Sequence, residues 1–320
     1  MSLVGSNRES QASVHRELVN WDYRRDGRVR SIPVECFKSR WKGTEPSVLP
    51  VLFLSGYGEN DWAITKVITR FGLLKVGAVG VKMPFDRLPA DRLSIQAACT
   101  EVPHVAGDHY KQELGLSIDT PMTAVGKSQG GGVLARSLQA RHEGLGSLGF
   151  VGSACMNLET RCLMSERQRR RQFYRRFGLN ALLQSPADPV NLFSVPTIGR
   201  QLVSDILSRR FVPKVGLAVM SCLNQAVLDH VNRDHQVVLI VGVKDRVFRN
   251  EDVKAAFRFL EPDERRWPQI VEIPGTSHVA SASRKGIAEL GITLKHLGLI
   301  EPAQVPEGTR EISPPEEAVN

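Results

Sequence analysis

Between Pro121 and Leu134 a short apolar run passes directly into residues able to start a helix, and Gly126-Lys127-Ser128-Gln129-Gly130 lies at the join with the spacing G-x-S-x-G. A strand that turns sharply into a helix forces its central residue into a strained backbone conformation. Side chains two positions before and after would collide there, so glycine occupies both. The strain exposes the Ser128 hydroxyl and aims the first N–H groups of the next helix at whatever the serine would attack. Two other readings compete. Gly126-Lys127-Ser128 ends the phosphate-loop pattern G-x-x-x-x-G-K-[ST], but its leading position is Pro121, and a strand over 122–125 leaves no loop to wrap phosphates. A plain strand-to-helix turn without chemistry is the third.

The rest of the chain supplies a sheet for that turn. Residues 48–54 (Val-Leu-Pro-Val-Leu-Phe-Leu) form a near-continuous apolar run, as expected of a parallel strand buried on both faces. The run ends at Ser55-Gly56-Tyr57-Gly58, and a helix carrying Trp62, Ile64, Val67 and Ile68 follows. Further strands are expected at 76–81, 148–151, 237–243 and 270–273, and helices around 107–114, 130–140, 251–260 and 284–297. Ahead of them, Tyr23–Trp41 reads as a hairpin turning at Asp26-Gly27. Such alternation implies an α/β architecture, a doubly wound and mostly parallel sheet. Residues 157–234 break the pattern with several helical stretches, no convincing strand, and Pro186, Pro189, Pro196 and Pro213. They read as a helical cap inserted between core segments 21–156 and 235–300. A flexible arm is expected over 1–20 and a Pro- and Glu-rich disordered tail over 301–320.

Composition narrows the class. Hydrophobic residues at 42% and charged residues at 24% set a globular balance in a chain of 320 residues, long enough to bury a large core. No apolar run approaches the roughly 18 residues of a membrane span, and residues 1–20 lack the apolar centre of a secretory signal. The five cysteines are odd in number and share no C-x-x-C spacing, which argues against a disulfide framework or zinc site and for a reducing cytoplasm. The net charge of +8 is regional: 157–234 carries twelve basic residues against six acidic. Its Arg-rich run, Glu166–Arg176, reads first as a solvated helix face and second as an attractor of anionic or lipid-like substrates. No nucleic-acid motif accompanies the run, so nucleic acid is not the expected partner.

A serine hydroxyl attacks only when a base takes its proton, and the base needs a third group to fix its tautomer. Asp245 follows the strand expected at 237–243, and His278 follows the last strand behind Gly275. In a parallel sheet these carboxyl ends open on one edge, where Ser128, Asp245 and His278 would meet. The plainer readings are a turn or cap role for Asp245, with Asp252 and then Asp234 as fallbacks, and a loop role for His278, one of eight histidines. The oxyanion formed by attack needs preorganised donors. The Gln129 N–H at the helix start and the Tyr57 N–H in the glycine-flanked loop are the candidates, with Gly56 beside them at the substrate. Lys127 is a cation next to Ser128 that either favours anionic substrates or points into solvent, the second being preferred.

Over roughly residues 30 to 298 these motifs resemble α/β-hydrolase-fold proteins with a helical cap: the Gly-Lys-Ser-Gln-Gly turn, Gly242-x-x-Asp245, the Gly275-Thr-Ser-His278 loop, and Gly56-x-Gly58 after the first buried strand. The resemblance implies Ser128 as nucleophile, His278 as base, Asp245 as its orienter, and Gln129 with Tyr57 as the oxyanion hole. It implies cleavage of a small acyl substrate (an ester, thioester, lactone or amide) without metal or cofactor. Acyl transfer, C–C bond hydrolysis and cofactor-free perhydrolysis are alternatives, as is a ligand-binding protein without catalysis. Two departures stand out: Ser55 replaces the histidine of many relatives, and Lys127 occupies a position often uncharged. Serine rather than aspartate at 128 disfavours dehalogenase and epoxide hydrolase chemistry.

Overall fold

A computed structural model describes residues 12–41, 49–140, 145–151, 191–210, 237–245, 269–273 and 310–312. They contain strands β1 (Ala12–Arg25), β2 (Arg28–Trp41), β3 (Val51–Leu54), β4 (Ala78–Lys82), β5 (Met122–Lys127), β6 (Leu145–Val151), β7 (Val237–Gly242), β8 (Gln269–Ile273) and β9 (Arg310–Ile312). The described helices are α1 (Asp61–Leu73), α2 (Arg92–Glu113), α3 (Gln129–Ala140) and α4 (Asn191–Leu207). The strands form one sheet in the order β1-β2-β4-β3-β5-β6-β7-β8-β9. From β4 to β8 all neighbours are parallel, while β1–β2, β2–β4 and β8–β9 are antiparallel.

The alternation of side chains along each strand explains why both faces are covered. Leu52 and Leu54 of β3 join a cluster with Ile95, Ala98 and Val102 of α2 and Val133, Leu134 and Leu138 of α3. Val51 and Phe53, pointing the other way, pack with Ile64, Val67, Ile68 and Phe71 of α1. Those α1 residues recur at helical spacing on one stripe, and Asn60 caps the helix by accepting the Ala63 N–H at 2.9 Å. Gly80 of β4 lets α1 approach, since a Cβ there would lie 2.7 Å from Ile64 Cγ2. The chain therefore leaves β3 over one face to β4 and returns over the other to β5. Ligand crevices in open α/β sheets form at such a switch point, outside the carboxyl ends of the strands.

The hairpin turns at Asp26-Gly27, as expected, with φ of 50° and 71°, the double positive φ of a type I′ turn. Its first strand starts at Ala12, so residues 12–20 are strand rather than arm. Charges hid this. His15, Arg16 and Glu17 look solvated in sequence, yet Arg16 pairs with Glu35 at 3.0 Å and Glu17 with Lys38 at 2.6 Å. The tail likewise contributes β9, whose Ile312 pairs with Ile270. Three residues in a Pro-rich stretch carry no periodicity, and a backbone ladder needs none. Helix α2 is far longer than the segment expected around 107–114, because Pro103 reads as a breaker but lies buried inside it. Its start is fixed by Asp91, which accepts the Ser94 N–H at 3.0 Å and binds Arg25 of β1. Trp62 does not join the α1 core stripe; it is 46% exposed, with the Lys66 ammonium 4.2 Å from its ring centre.

Within the segment expected as a cap, α4 and residues through 210 are described. The Arg-rich run and the helices expected at 251–260 and 284–297 lie outside the described residues. No helix among the described residues is long and apolar enough to cross a membrane.

Candidate active site

Strand β5 is buried along its whole length and runs through Lys127, and α3 begins at Gln129. Ser128 alone makes the turn. Its φ of 50° is a left-handed conformation that costs a serine free energy, and Gly131 N–H closes the first turn onto its carbonyl at 3.1 Å. The flanking glycines are required by contact. A Cβ on Gly126 would lie 2.6 Å from Gly131 Cα, and one on Gly130 would lie 2.1 Å from the Leu54 carbonyl oxygen. With strand and helix separated by one residue, no phosphate-wrapping loop exists here. Burial pushes the Cys36 and Cys99 thiols up to about 12, so neither competes with Ser128 as a nucleophile.

The loop after β3 lies directly beside this turn. Gly58 has φ of 70° and the Glu59 N–H reaches the Gly56 carbonyl at 3.4 Å, closing a tight turn. A Cβ on Gly56 would come 3.3 Å from Ser128 Cβ. The Gly56 N–H donates to Glu59 Oε2 at 2.8 Å, and Glu59 Oε1 accepts from Lys127 Nζ at 2.8 Å. Lys127 therefore does not point into solvent as expected. Its side chain is 4% exposed and lies against a carboxylate that is itself 12% exposed. Gln129 and Tyr57, the expected oxyanion donors, are both buried at the same edge. Ser55, expected as a departure from the family pattern, ties its hydroxyl to the Val81 carbonyl at 3.3 Å.

Two strands away, β7 ends at Gly242 and a turn brings the Asp245 N–H to the Gly242 carbonyl at 2.9 Å. Asp245 is 5% exposed. The parallel registers Lys127↔Val151 and Val151↔Ile240 put β5 and β7 in step, so Ser128 and Asp245 follow strand ends on the same edge of the sheet. Gly242 pairs with Ile273, the last residue of β8. His278, five positions on, lies outside the described residues, as do Asp252 and Asp234.

No family model matches the chain, and no curated protein does. Solved structures do. A thermostable carboxyl esterase from Bacillus coagulans aligns at a TM-score of 0.58 and 12% identity, covering 90% of this chain and 99% of that one. The 2-hydroxy-6-oxo-6-phenylhexa-2,4-dienoate hydrolase of Rhodococcus sp. strain RHA1 aligns at 0.57 and 15%, covering 89% and 99%. A bromoperoxidase from Bacillus anthracis aligns at 0.55 and 12%, covering 88% and 100%. The chain has the α/β-hydrolase fold. At these identities the likeness is one of fold.

On this α/β-hydrolase fold a cleft of about 490 Å³ opens between the loop after β3, residues 82–86 and α4. Gly56, Gln129, Gln201 and Asp205 are among the residues that line it. Helix α4 is held there by polar contacts and by Leu202, which packs on the main core cluster. Asp205 Oδ2 accepts from the Tyr57 hydroxyl at 2.8 Å, its Oδ1 from Gln201 Nε2 at 2.9 Å, and Arg210 Nη1 donates to the Asp86 carbonyl at 2.6 Å. Burial pushes the Tyr57 phenol above its ordinary value, and the Asp205 carboxyl adds to the shift. Sequence reasoning missed Glu59 and Asp205. Neither carries a local signal: glutamate is not a turn-forming residue, and Asp205 sits inside α4.

One described group, Glu17, His109 and Glu113, has the spacing to hold a metal ion. The Lys38 ammonium lies 2.6 Å and 2.7 Å from its two carboxylates and already supplies the positive charge. None of the three lines the cleft.

Proposed function

We propose that the protein is a serine hydrolase that cleaves an ester, thioester, lactone or amide through an acyl-serine intermediate. The observation that carries this reading is the left-handed Ser128, held between β5 and α3 with the Gly56 loop in contact beside it. Ser128 Oγ attacks the carbonyl carbon while His278 takes its proton, and Asp245 holds the imidazole in the tautomer that can accept it. The oxyanion is received by the N–H groups of Gln129 and Tyr57. Collapse breaks the bond to the leaving group, which departs with the proton from His278. Water then attacks the acyl-serine, again giving its proton to His278, and frees the acid and Ser128. Every step uses a base and backbone donors, so the reaction calls for no metal or cofactor. In this reading α4 belongs to a cap over residues 157–234 that closes on the acyl group.

The test is labelling of the full chain with a fluorophosphonate probe, with the adduct located by peptide mass. Labelling confined to Ser128, absent in Ser128→Ala, supports the reading; a folded wild type that is not labelled, or labelling elsewhere, rejects it. Ser128→Ala and His278→Ala are expected to lower kcat by about 10⁴-fold or more, and Asp245→Asn to leave more residual activity.

A further inference from the structure

Both oxygens of Glu59 are committed, and to residues of matching position. One accepts the N–H of Gly56, the residue before Tyr57, and the other accepts from Lys127, the residue before Ser128. Glu59 thus joins two segments that meet nowhere in sequence, the loop after β3 and the end of β5. The neighbours of these two contacts are the donor N–H and the attacking hydroxyl of the reaction proposed above. Both side chains are largely removed from water, at 12% and 4% exposed, where a charge pair is screened little by solvent.

The loop's own backbone turn is loosely closed. Its internal turn rests on a Glu59 N–H bond of 3.4 Å, and Gly58 supplies a positive φ. The 2.8 Å bond from Gly56 N–H to the carboxylate is the shorter of the two. Gly56 has no side chain of its own to wedge against Ser128, and a Cβ there would come only 3.3 Å from the serine. The carboxylate therefore ties the loop to the elbow beside the backbone packing of Leu54 and Ser55 on Gly130.

We propose that Glu59 is a positioning residue, a brace that fixes the Tyr57 N–H relative to Ser128 by holding Gly56 and Lys127 to one carboxylate. This rests on Ser128 being the attacking group. It also assigns Lys127 a role in the brace rather than as a receptor for anionic substrates.

Three full-length variants test it. Glu59→Gln keeps an amide oxygen for the Gly56 N–H but sets its NH2 against the Lys127 ammonium, donor to donor, and so gives up the Lys127 contact; Glu59→Leu gives up both contacts; Glu59→Asp is too short to span Gly56 and Lys127 together. The readouts are the rate of fluorophosphonate labelling at Ser128, kcat and KM on p-nitrophenyl acetate, and deuterium uptake by the peptide covering 55–60. Misplacement of an oxyanion donor by about 1 Å costs on the order of 100-fold, so Glu59→Leu should label about 100-fold more slowly. Its kcat should fall while KM stays, and its 55–58 amides should exchange faster; Glu59→Gln, which keeps the Gly56 contact alone, should label more slowly than wild type and faster than Glu59→Leu. Equal losses in folded Gln and Leu variants overturn the brace. If the Leu variant does not fold, Glu59→Asp decides: about tenfold slower labelling upholds the proposal, and labelling at the wild-type rate overturns it. Should wild-type Ser128 take no label, the serine mechanism falls. The brace is then judged on exchange alone, and wild-type uptake in the Leu or Asp variant would overturn it.

Discussion

The Tyr57 hydroxyl donates a 2.8 Å hydrogen bond to Asp205, 148 residues further along the chain. Tyr57 lies in the loop beside Ser128 and Asp205 on α4, and both line the cleft. One side chain therefore couples the covering helix to the loop. Tyr57→Phe keeps the backbone N–H and removes the bond, with an expected cost of about 1–3 kcal/mol. Hydrogen exchange should quicken in 199–210 more than in β3 or β5; uniform change, or none, would contradict the coupling.

Gly130 and Gly56 should respond differently to alanine. At Gly130 the new Cβ would meet the Leu54 carbonyl oxygen at 2.1 Å, a backbone atom that cannot rotate away. A loss of about 3 kcal/mol or more is expected, seen as insolubility or a collapsed urea midpoint. At Gly56 the Cβ meets Ser128 Cβ at 3.3 Å, close enough to shift the loop by tenths of an ångström without unfolding it. Gly56→Ala should fold normally by circular dichroism and label about tenfold more slowly.

Thr123 of β5 is fully buried, and its hydroxyl finds no hydrogen-bond partner among the described residues. Thr123→Val keeps the shape and removes a stranded polar atom. Stability should rise by about 1 kcal/mol in urea unfolding; a loss would mean the hydroxyl is satisfied.

Acid should loosen the hairpin's ties to α2. The hydrogen bond from Lys38, helped by His109 against the opposing effect of burial, holds Glu17 at about 2 instead of 4.5. Burial raises Asp91, but the Ser94 N–H and hydroxyl with Arg25 together outweigh it and hold the carboxyl at about 2 instead of 3.8. Both values are depressed in the folded state, so their stabilisation is present above about pH 4.5 and is lost as pH falls toward about 2. Urea midpoints of Glu17→Gln and Asp91→Asn should differ most from wild type near neutrality and converge with it in acid. A gap that widens in acid would reverse the sign.

The sequence by itself determined the parts of this protein that local chemistry fixes. G-x-S-x-G specified a one-residue turn because two glycines are the only residues the backbone contacts admit there. Apolar runs at β3, β5 and β7 specified buried parallel strands, and Asp26-Gly27 specified the hairpin turn. The resemblance carried by these motifs predicted the α/β-hydrolase fold that the solved structures display. Only the tertiary structure decided how charges are spent. Lys127 looks like a solvent-facing cation in sequence, and Arg16 and Glu17 look like an arm. Each acquires its meaning from a partner that folding brings near: Glu59 for Lys127, Glu35 for Arg16, Lys38 for Glu17. Asp205 is the extreme case, since nothing near it in the chain anticipates Tyr57. Hydrophobic periodicity and turn chemistry act between neighbours a few residues apart. Ion pairs and buried hydrogen bonds depend on distance in space, and their partners exist only once the sheet has assembled.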